Sequence, residues 1–203
     1  MTPIAPLLAW MDLFGIAVFA ASGALAAARR RQTIVTFAFF ALVTGVGGGT
    51  VRDLLIEAPV FWVRDARVAI VCLSVAALIW ATPQRWWSER ALDWFDAVGL
   101  AAYAVFGAAK ALAFGVPPFV SVLMGVITAC VGGIIRDVLA NEPSILLRPE
   151  LYVTAAALAA GLFVLLGWAG APLLLAASIA VLTGFALRAA AIARGLKLPE
   201  YPR

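Results

Sequence analysis

The sequence predicts an all-α integral membrane protein. Seven transmembrane helices are expected, arranged as two inverted three-helix repeats followed by a seventh helix. Three observations lead there: a composition too apolar for a soluble domain, seven apolar runs joined by short polar links, and a self-similarity at one fixed offset. Of the 203 residues, 65% are hydrophobic and only 13% charged, and the mean hydropathy is +1.03. A soluble domain is closer to half apolar and a quarter charged.

The runs lie at about 11–28, 33–57, 66–82, 95–114, 118–140, 150–168 and 172–193, each near the length needed to cross a bilayer. The first ends at Arg29-Arg30-Arg31 and the second near Glu57-Ala58-Pro59. The third ends at Thr82-Pro83, and Trp86-Trp87 behind it suits the headgroup level. Pro117-Pro118 opens the fifth, where proline is tolerated at a helix start. Trp168 to Pro172 forms the turn before the seventh. The links leave no room for a soluble domain, so residues 1–203 read as one membrane domain, with repeat 1 at about 11–82, repeat 2 at about 95–168 and the seventh helix at about 172–193.

The formal charge of +4 and pI near 9.6 do not indicate nucleic acid, because the basic residues sit at the ends of apolar runs rather than on one helix face. With the N-terminus outside, the inside holds Arg29, Arg30, Arg31, Arg85, Arg90, Arg148, Arg188, Arg194, Lys197 and Arg203, and the outside only Arg64, Arg67 and Lys110. That predicts N-out, C-in. No basic residue precedes the first run, which argues for a first helix that stays in the membrane rather than a cleaved leader. There is no histidine, nucleotide loop, Ser/His/Asp set or metal-ligand cluster, so neither an enzyme nor a metal site is expected. Cys72 and Cys130 lie inside apolar runs and read as packing residues.

The repeat is gap-free. Arg136-Asp137 follows Arg52-Asp53 at an offset of 84 residues, and the same offset relates Asp12 to Asp96, Gly15 to Gly99, Gly23 to Gly107, Thr44 to Thr128, Gly48-Gly49 to Gly132-Gly133, Pro59 to Pro143 and Arg64 to Arg148. Three spans per repeat is an odd number, so the second copy enters from the opposite side. This is the pattern that places an ion or solute site near the midplane between broken helices.

Two stretches stand out for chemistry. Gly47-Gly48-Gly49 precedes Arg52 and Asp53, and Gly132-Gly133 precedes Arg136 and Asp137, each within an apolar span. Adjacent glycines lower the cost of unwinding, and intramembrane charge marks a functional site by default. The second span, 25 residues or about 37 Å as a helix, is expected to kink at its glycines. Gly15, Gly23, Gly99 and Gly107 lie on alanine-rich helices and are expected to serve close packing. Adjacent residues on a helix point about 100° apart, so the reading pairs the charges across the repeats, Arg52 with Asp137 and Arg136 with Asp53. Such pairs hold the halves together and can also gate a path. Thr44 and Thr128 either line a hydrated path or bond back to their own helix carbonyls. Asp12 and Asp96 are expected near helix N-termini, or as vestibule charges that concentrate cations. Lys110 is expected to snorkel to the interface or meet an anionic lipid headgroup.

The duplicated Gly-Gly-x-x-Arg-Asp motif in a seven-span chain resembles the prokaryotic members of the trimeric intracellular cation (TRIC) channel family, over about residues 10–193. The resemblance implies a homotrimer in a bacterial inner membrane, with membrane lipids and monovalent cations as its other partners. It also implies an ion path in each subunit between glycine-kinked spans 2 and 5, potassium as the main permeant ion, and no cofactor beyond a bound lipid. The Lys-Glu-Val signature of the animal relatives is missing, so their lipid-regulated basic site is not carried over. Related bacterial sequences are also described as transporters of glycine or another small solute, which is the competing expectation.

Overall fold

The computed structural model describes residues 4–88, 90–199 and 201. Arg203, counted above among the inside cations, lies outside the described residues. Among the described residues there are seven α-helices: α1 (Ile4–Arg29), α2 (Ile34–Leu55), α3 (Ala66–Ala81), α4 (Ala91–Ala113), α5 (Pro118–Leu139), α6 (Val153–Trp168) and α7 (Leu173–Arg194). Short 3-10 turns at Phe61–Arg64 and Ile145–Leu147 lead toward α3 and α6. Local chemistry sets the ends: Thr33 caps α2, Asp65 caps α3 by accepting from the Arg67 amide, Pro118 occupies the first turn of α5, and left-handed Gly195 closes α7.

Helices α1 and α4 are central. α1 packs against α2, α3 and α4, and α4 against α5, α6 and α7. Their inward faces are mostly small residues, with Ala20, Ala24, Ala27, Ala101, Ala104 and Ala108 fully buried. Small residues let helices approach closely where hydrophobicity cannot drive association, because lipid is as apolar as the core.

The offset of 84 governs backbone detail as well as residue identity. After α1 the Gln32 amide donates to Ala27, and after α4 the Val116 amide donates to Ala111. The left-handed residue in the first link is Arg31 (φ 50°) and in the second Gly115 (φ 79°). After α2 the Ala58 amide donates to the Asp53 carbonyl at 2.8 Å, and after α5 Glu142 donates to Asp137 at 3.0 Å, with Glu57 and Asn141 left-handed. These are the 6→1 closures that satisfy terminal helix carbonyls.

Contacts also exchange between the halves. Gly15 of α1 lies under the Tyr103 ring of α4, and Gly99 of α4 under the Phe19 ring of α1. Gly48 of α2 abuts the Thr128 carbonyl of α5, and Gly132 of α5 abuts the Thr44 carbonyl of α2. Rising numbers on one helix meet falling numbers on the other, so each pair is antiparallel about a two-fold axis across the helices. α7 falls outside this symmetry and rests on α4 and α6.

Two expectations change. α2 is an unbroken helix of 22 residues through its glycines, as is α5. The glycine runs therefore do not unwind the chain, and α2 is about 33 Å long rather than overlong. The sixth helix begins at Val153, because Glu150 bridges to Lys197 and Pro149 accepts from the Leu198 amide, drawing the segment after α7 onto the α5–α6 link.

Candidate functional site

The glycines serve proximity. A Cβ on Gly132 would lie 2.5 Å from the Thr44 carbonyl oxygen, and one on Gly48 would collide with that of Thr128. Gly47 faces Ile135 and Gly132, Gly49 faces the Phe61 ring, and Gly133 faces the Tyr152 hydroxyl and Asp96. α2 and α5 thus cross backbone to backbone. The hydroxyl of Thr128 bonds back to the Met124 carbonyl at 2.6 Å. That of Thr44 faces Gly23 and is buried without a hydrogen-bond partner.

One charge cluster lies past each end of this crossing. Arg52 and Asp53 are 1% and 0% exposed. Arg52 Nε donates to Asp53 Oδ1 at 2.8 Å, with Nη2 2.7 Å from the same oxygen. Arg136 repeats this on Asp137 at 2.9 and 2.8 Å. The cross-repeat pairing expected from sequence is therefore incorrect. The Cα–Cβ bonds do diverge, but the arginine stem is long enough to bend its fork back across that angle. In both copies the second carboxylate oxygen accepts from the amide opening the 3-10 turn, Phe61 at 3.1 Å and Ile145 at 2.8 Å. Each Arg-Asp pair clips the helix to the link that follows it.

What binds the halves together lies elsewhere. Lys110 of α4 reaches Asp53 of α2, its ammonium 2.8 Å from Oδ1 and 2.9 Å from Oδ2, so its charge is turned inward to a carboxylate rather than out to the interface. Arg136 Nη1 donates to Asp96 Oδ1 at 2.7 Å and to Ser22 Oγ at 2.9 Å, joining α5 to α4 and α1. Asp96 is fully buried, five residues inside α4, so it acts neither on the helix N-terminus nor as a vestibule charge. Asp12 stands two turns inside α1 and accepts from the Tyr103 hydroxyl at 2.8 Å.

The clusters differ at the positions that exchange. Arg52 Nη1 is buried without a hydrogen-bond partner, and its guanidinium stands 5.4 Å over the Phe106 ring. Phe106 occupies the place that Ser22 has around Arg136. The first cluster balances two cations, Arg52 and Lys110, against Asp12 and Asp53. The second sets Arg136 against Asp96 and Asp137, with Arg29, Arg148 and Asp93 lining the cavity beside it, and Asp96 Oδ2 is left without a hydrogen bond.

Several residues here were missed from sequence: Ser22, Tyr103, Phe106, Tyr152, Glu150 and Arg188. Arg188, read as an inside topology marker, is 0% exposed and donates to Glu150 at 2.7 Å with its guanidinium 5.3 Å over the Tyr152 ring. Its place two turns before the end of an apolar helix was the available signal. Among the described residues no three or more His, Cys, Asp or Glu side chains are grouped so as to hold a metal ion.

These features define a class: an inverted-repeat membrane protein whose ionised groups are sequestered at both ends of a glycine-lined helix crossing. Comparison with known proteins narrows it. The family model described as Glycine transporter matches twice, over residues 9–84 and 93–168. The chain is 43% identical over 155 residues to a UPF0126 membrane protein of Vibrio cholerae, a match spanning 73% of this chain and 64% of that one. It is 38% identical over 196 residues to the UPF0126 inner membrane protein YadS of Escherichia coli, covering 95% of both. In structure it is similar to the TRIC trimeric intracellular cation channel orthologue from Rhodobacter sphaeroides, with a TM-score of 0.86 and 42% identity over 94% of this chain and 99% of that one. The chain belongs to the prokaryotic TRIC channel family, and its setting is a bacterial inner membrane.

Proposed function

We propose that the protein is a monovalent-cation channel, a homotrimer oriented N-out and C-in, with potassium as the main permeant ion and a path within each subunit beside the α2–α5 crossing. The observation that carries this is the close likeness, in sequence and fold, to the Rhodobacter sphaeroides TRIC trimeric intracellular cation channel orthologue. The chemistry agrees with it. Buried carboxylates at both ends of a narrow crossing favour cations. The glycines thin the wall between the halves so that polar groups from α1, α2, α4 and α5 come within reach of one path.

A second reading, transport of glycine or another small solute, is favoured by the description of the matching family model. A carrier of this repeat type cradles a substrate carboxylate at the free end of a broken helix. α2 and α5 are both unbroken, so no such end faces the midplane. Purified protein in a planar bilayer tests the proposal: unitary currents in potassium chloride, with a reversal potential that follows the cation gradient, are expected. Saturable glycine uptake into proteoliposomes without unitary currents would overturn it.

A further inference from the structure

The two halves solve the same local problem differently. In the first, the Lys110 ammonium sits on both oxygens of Asp53 and 5.8 Å from the centre of the Phe61 ring. The residue related to Lys110 by the offset of 84 is Ala26, whose side chain is one methyl. Those related to Asp53 and Phe61 are Asp137 and Ile145, and those related to Arg52 and Arg64 are Arg136 and Arg148. Ala26, Arg136, Asp137, Ile145 and Arg148 all line one cavity of about 70 Å³. The place that a tethered ammonium fills at one end of the molecule is an open chamber at the other.

We infer that this chamber is a binding station for a dehydrated or partly hydrated monovalent cation seated on Asp137, with Lys110 on Asp53 as its covalently tethered counterpart. The inference rests on the cation-channel reading and gives that path a specific station. Potassium and ammonium are alike in charge and close in size, so a pocket shaped by the same fold around the same carboxylate suits either. The volume exceeds the roughly 30 Å³ that one water occupies in the liquid, leaving room for an ion with a water or two.

The surrounding charges permit it. Setting Lys110 aside, the first cluster holds Arg52 against Asp12 and Asp53, and the second holds Arg136 against Asp96 and Asp137. The arrangement of one arginine against two carboxylates is therefore common to both halves, and the rest of the chamber's lining, Arg29 and Arg148 against Asp93, adds one positive charge that brings the chamber as a whole near neutrality. Arg136 is committed to Asp96, Asp137 and Ser22. At the mouth, Glu142 pairs with Arg30 at 2.7 Å. The remaining lining charges are Arg29 and Arg148 against Asp93, which makes an anion on the two arginines the rival occupant.

The full-length protein in lipid nanodiscs tests this with potassium and thallium(I) as probes. Its thermal midpoint, followed by tryptophan fluorescence, is expected to rise saturably with potassium gluconate against choline gluconate at constant ionic strength. Ala26→Lys, which carries the ammonium into the chamber, is expected to abolish that dependence and to be the more stable protein in choline. Ala26→Met fills the space without charge, and is expected to abolish the dependence without the gain in choline. Crystals of the wild type soaked in thallium(I) are expected to show an anomalous peak beside Asp137, whether or not either variant folds. Stabilisation by choline chloride over choline gluconate, with none from potassium, would overturn the station, and so would crystals with no thallium at Asp137. Unitary currents without that peak would reject the station and leave the channel reading standing. The peak without unitary currents would reject the channel reading and keep the station.

Discussion

Lys110 and Asp53 join the two repeats directly: an ammonium from α4 bridges both oxygens of a carboxylate on α2, at 2.8 and 2.9 Å. The carboxylate is fully buried and the lysine side chain 19% exposed. A pair so nearly dry is costly to break from either side, because the survivor keeps its charge and loses its partner. A double-mutant cycle of Lys110→Met and Asp53→Asn, read by chemical unfolding in detergent, is expected to give a coupling of about 1–3 kcal/mol. A value indistinguishable from zero would mean that the pair contributes nothing to holding the halves.

Gly48 and Gly132 make a second test, of the crossing itself. Either one changed to alanine drives a methyl into a carbonyl oxygen of the facing helix. Overpacking at such a contact costs about 1–3 kcal/mol, and symmetry makes the two losses similar. Gly161 and Gly167 have nothing within 4 Å of an added Cβ. Alanine there is expected to be neutral, or to raise stability by up to about 1 kcal/mol through helix propensity. Thermal unfolding of the four variants would show the contrast. Equal losses at all four would refute the close-approach role.

Arg136 supports a different prediction. Replacing it with glutamine leaves Asp96 and Asp137 buried beside each other without their shared cation. The expected loss is about 3–5 kcal/mol. Adding Asp96→Asn removes one stranded charge, and is expected to recover part of that loss. A double variant less stable than Arg136→Gln alone would contradict the assignment of Asp96 as its partner.

Asp65 provides a pH test outside the membrane. The Arg67 side chain and backbone amide both donate to it, and hold its carboxyl below the ordinary range. A depressed folded value means that the contribution is present above the unfolded value near 4 and is lost as pH falls through the lower folded value. The Arg67 amide resonance is therefore expected to titrate with a midpoint below that of a free aspartate, and Asp65→Asn to remove the titration. A midpoint at or above the free value would reject the cap.

How much of this was legible in the residues can be judged at particular positions. The repeat was visible because the offset is gap-free and carries rare matches such as Arg52-Asp53 with Arg136-Asp137, and the seven spans follow from the apolar runs. Partner choice was not visible. Backbone angles argue against adjacent pairing, yet the flexible stem of Arg52 overrides them, and spacing cannot reveal that Lys110 is drawn inward by Asp53. Tyr103 and Ser22 gave no signal, since each is an ordinary helix residue until the crossing angle brings it to Asp12 or Arg136. The glycine runs suggested unwinding because sequence records the missing side chain but not the facing carbonyl that requires its absence.

The third helix of each repeat is short. α3 and α6 have 16 residues each, or about 24 Å, against a hydrocarbon layer of about 30 Å. The five remaining helices are long enough to span it. A short span is met by thinning of the lipid beside it, by snorkelling of the flanking residues or by association with a neighbour, each at a fraction of a kcal/mol for each ångström of mismatch. Because the repeats are inverted, the two short helices are related by the same two-fold axis. Acyl-chain length thus becomes a variable that bears on both halves at once.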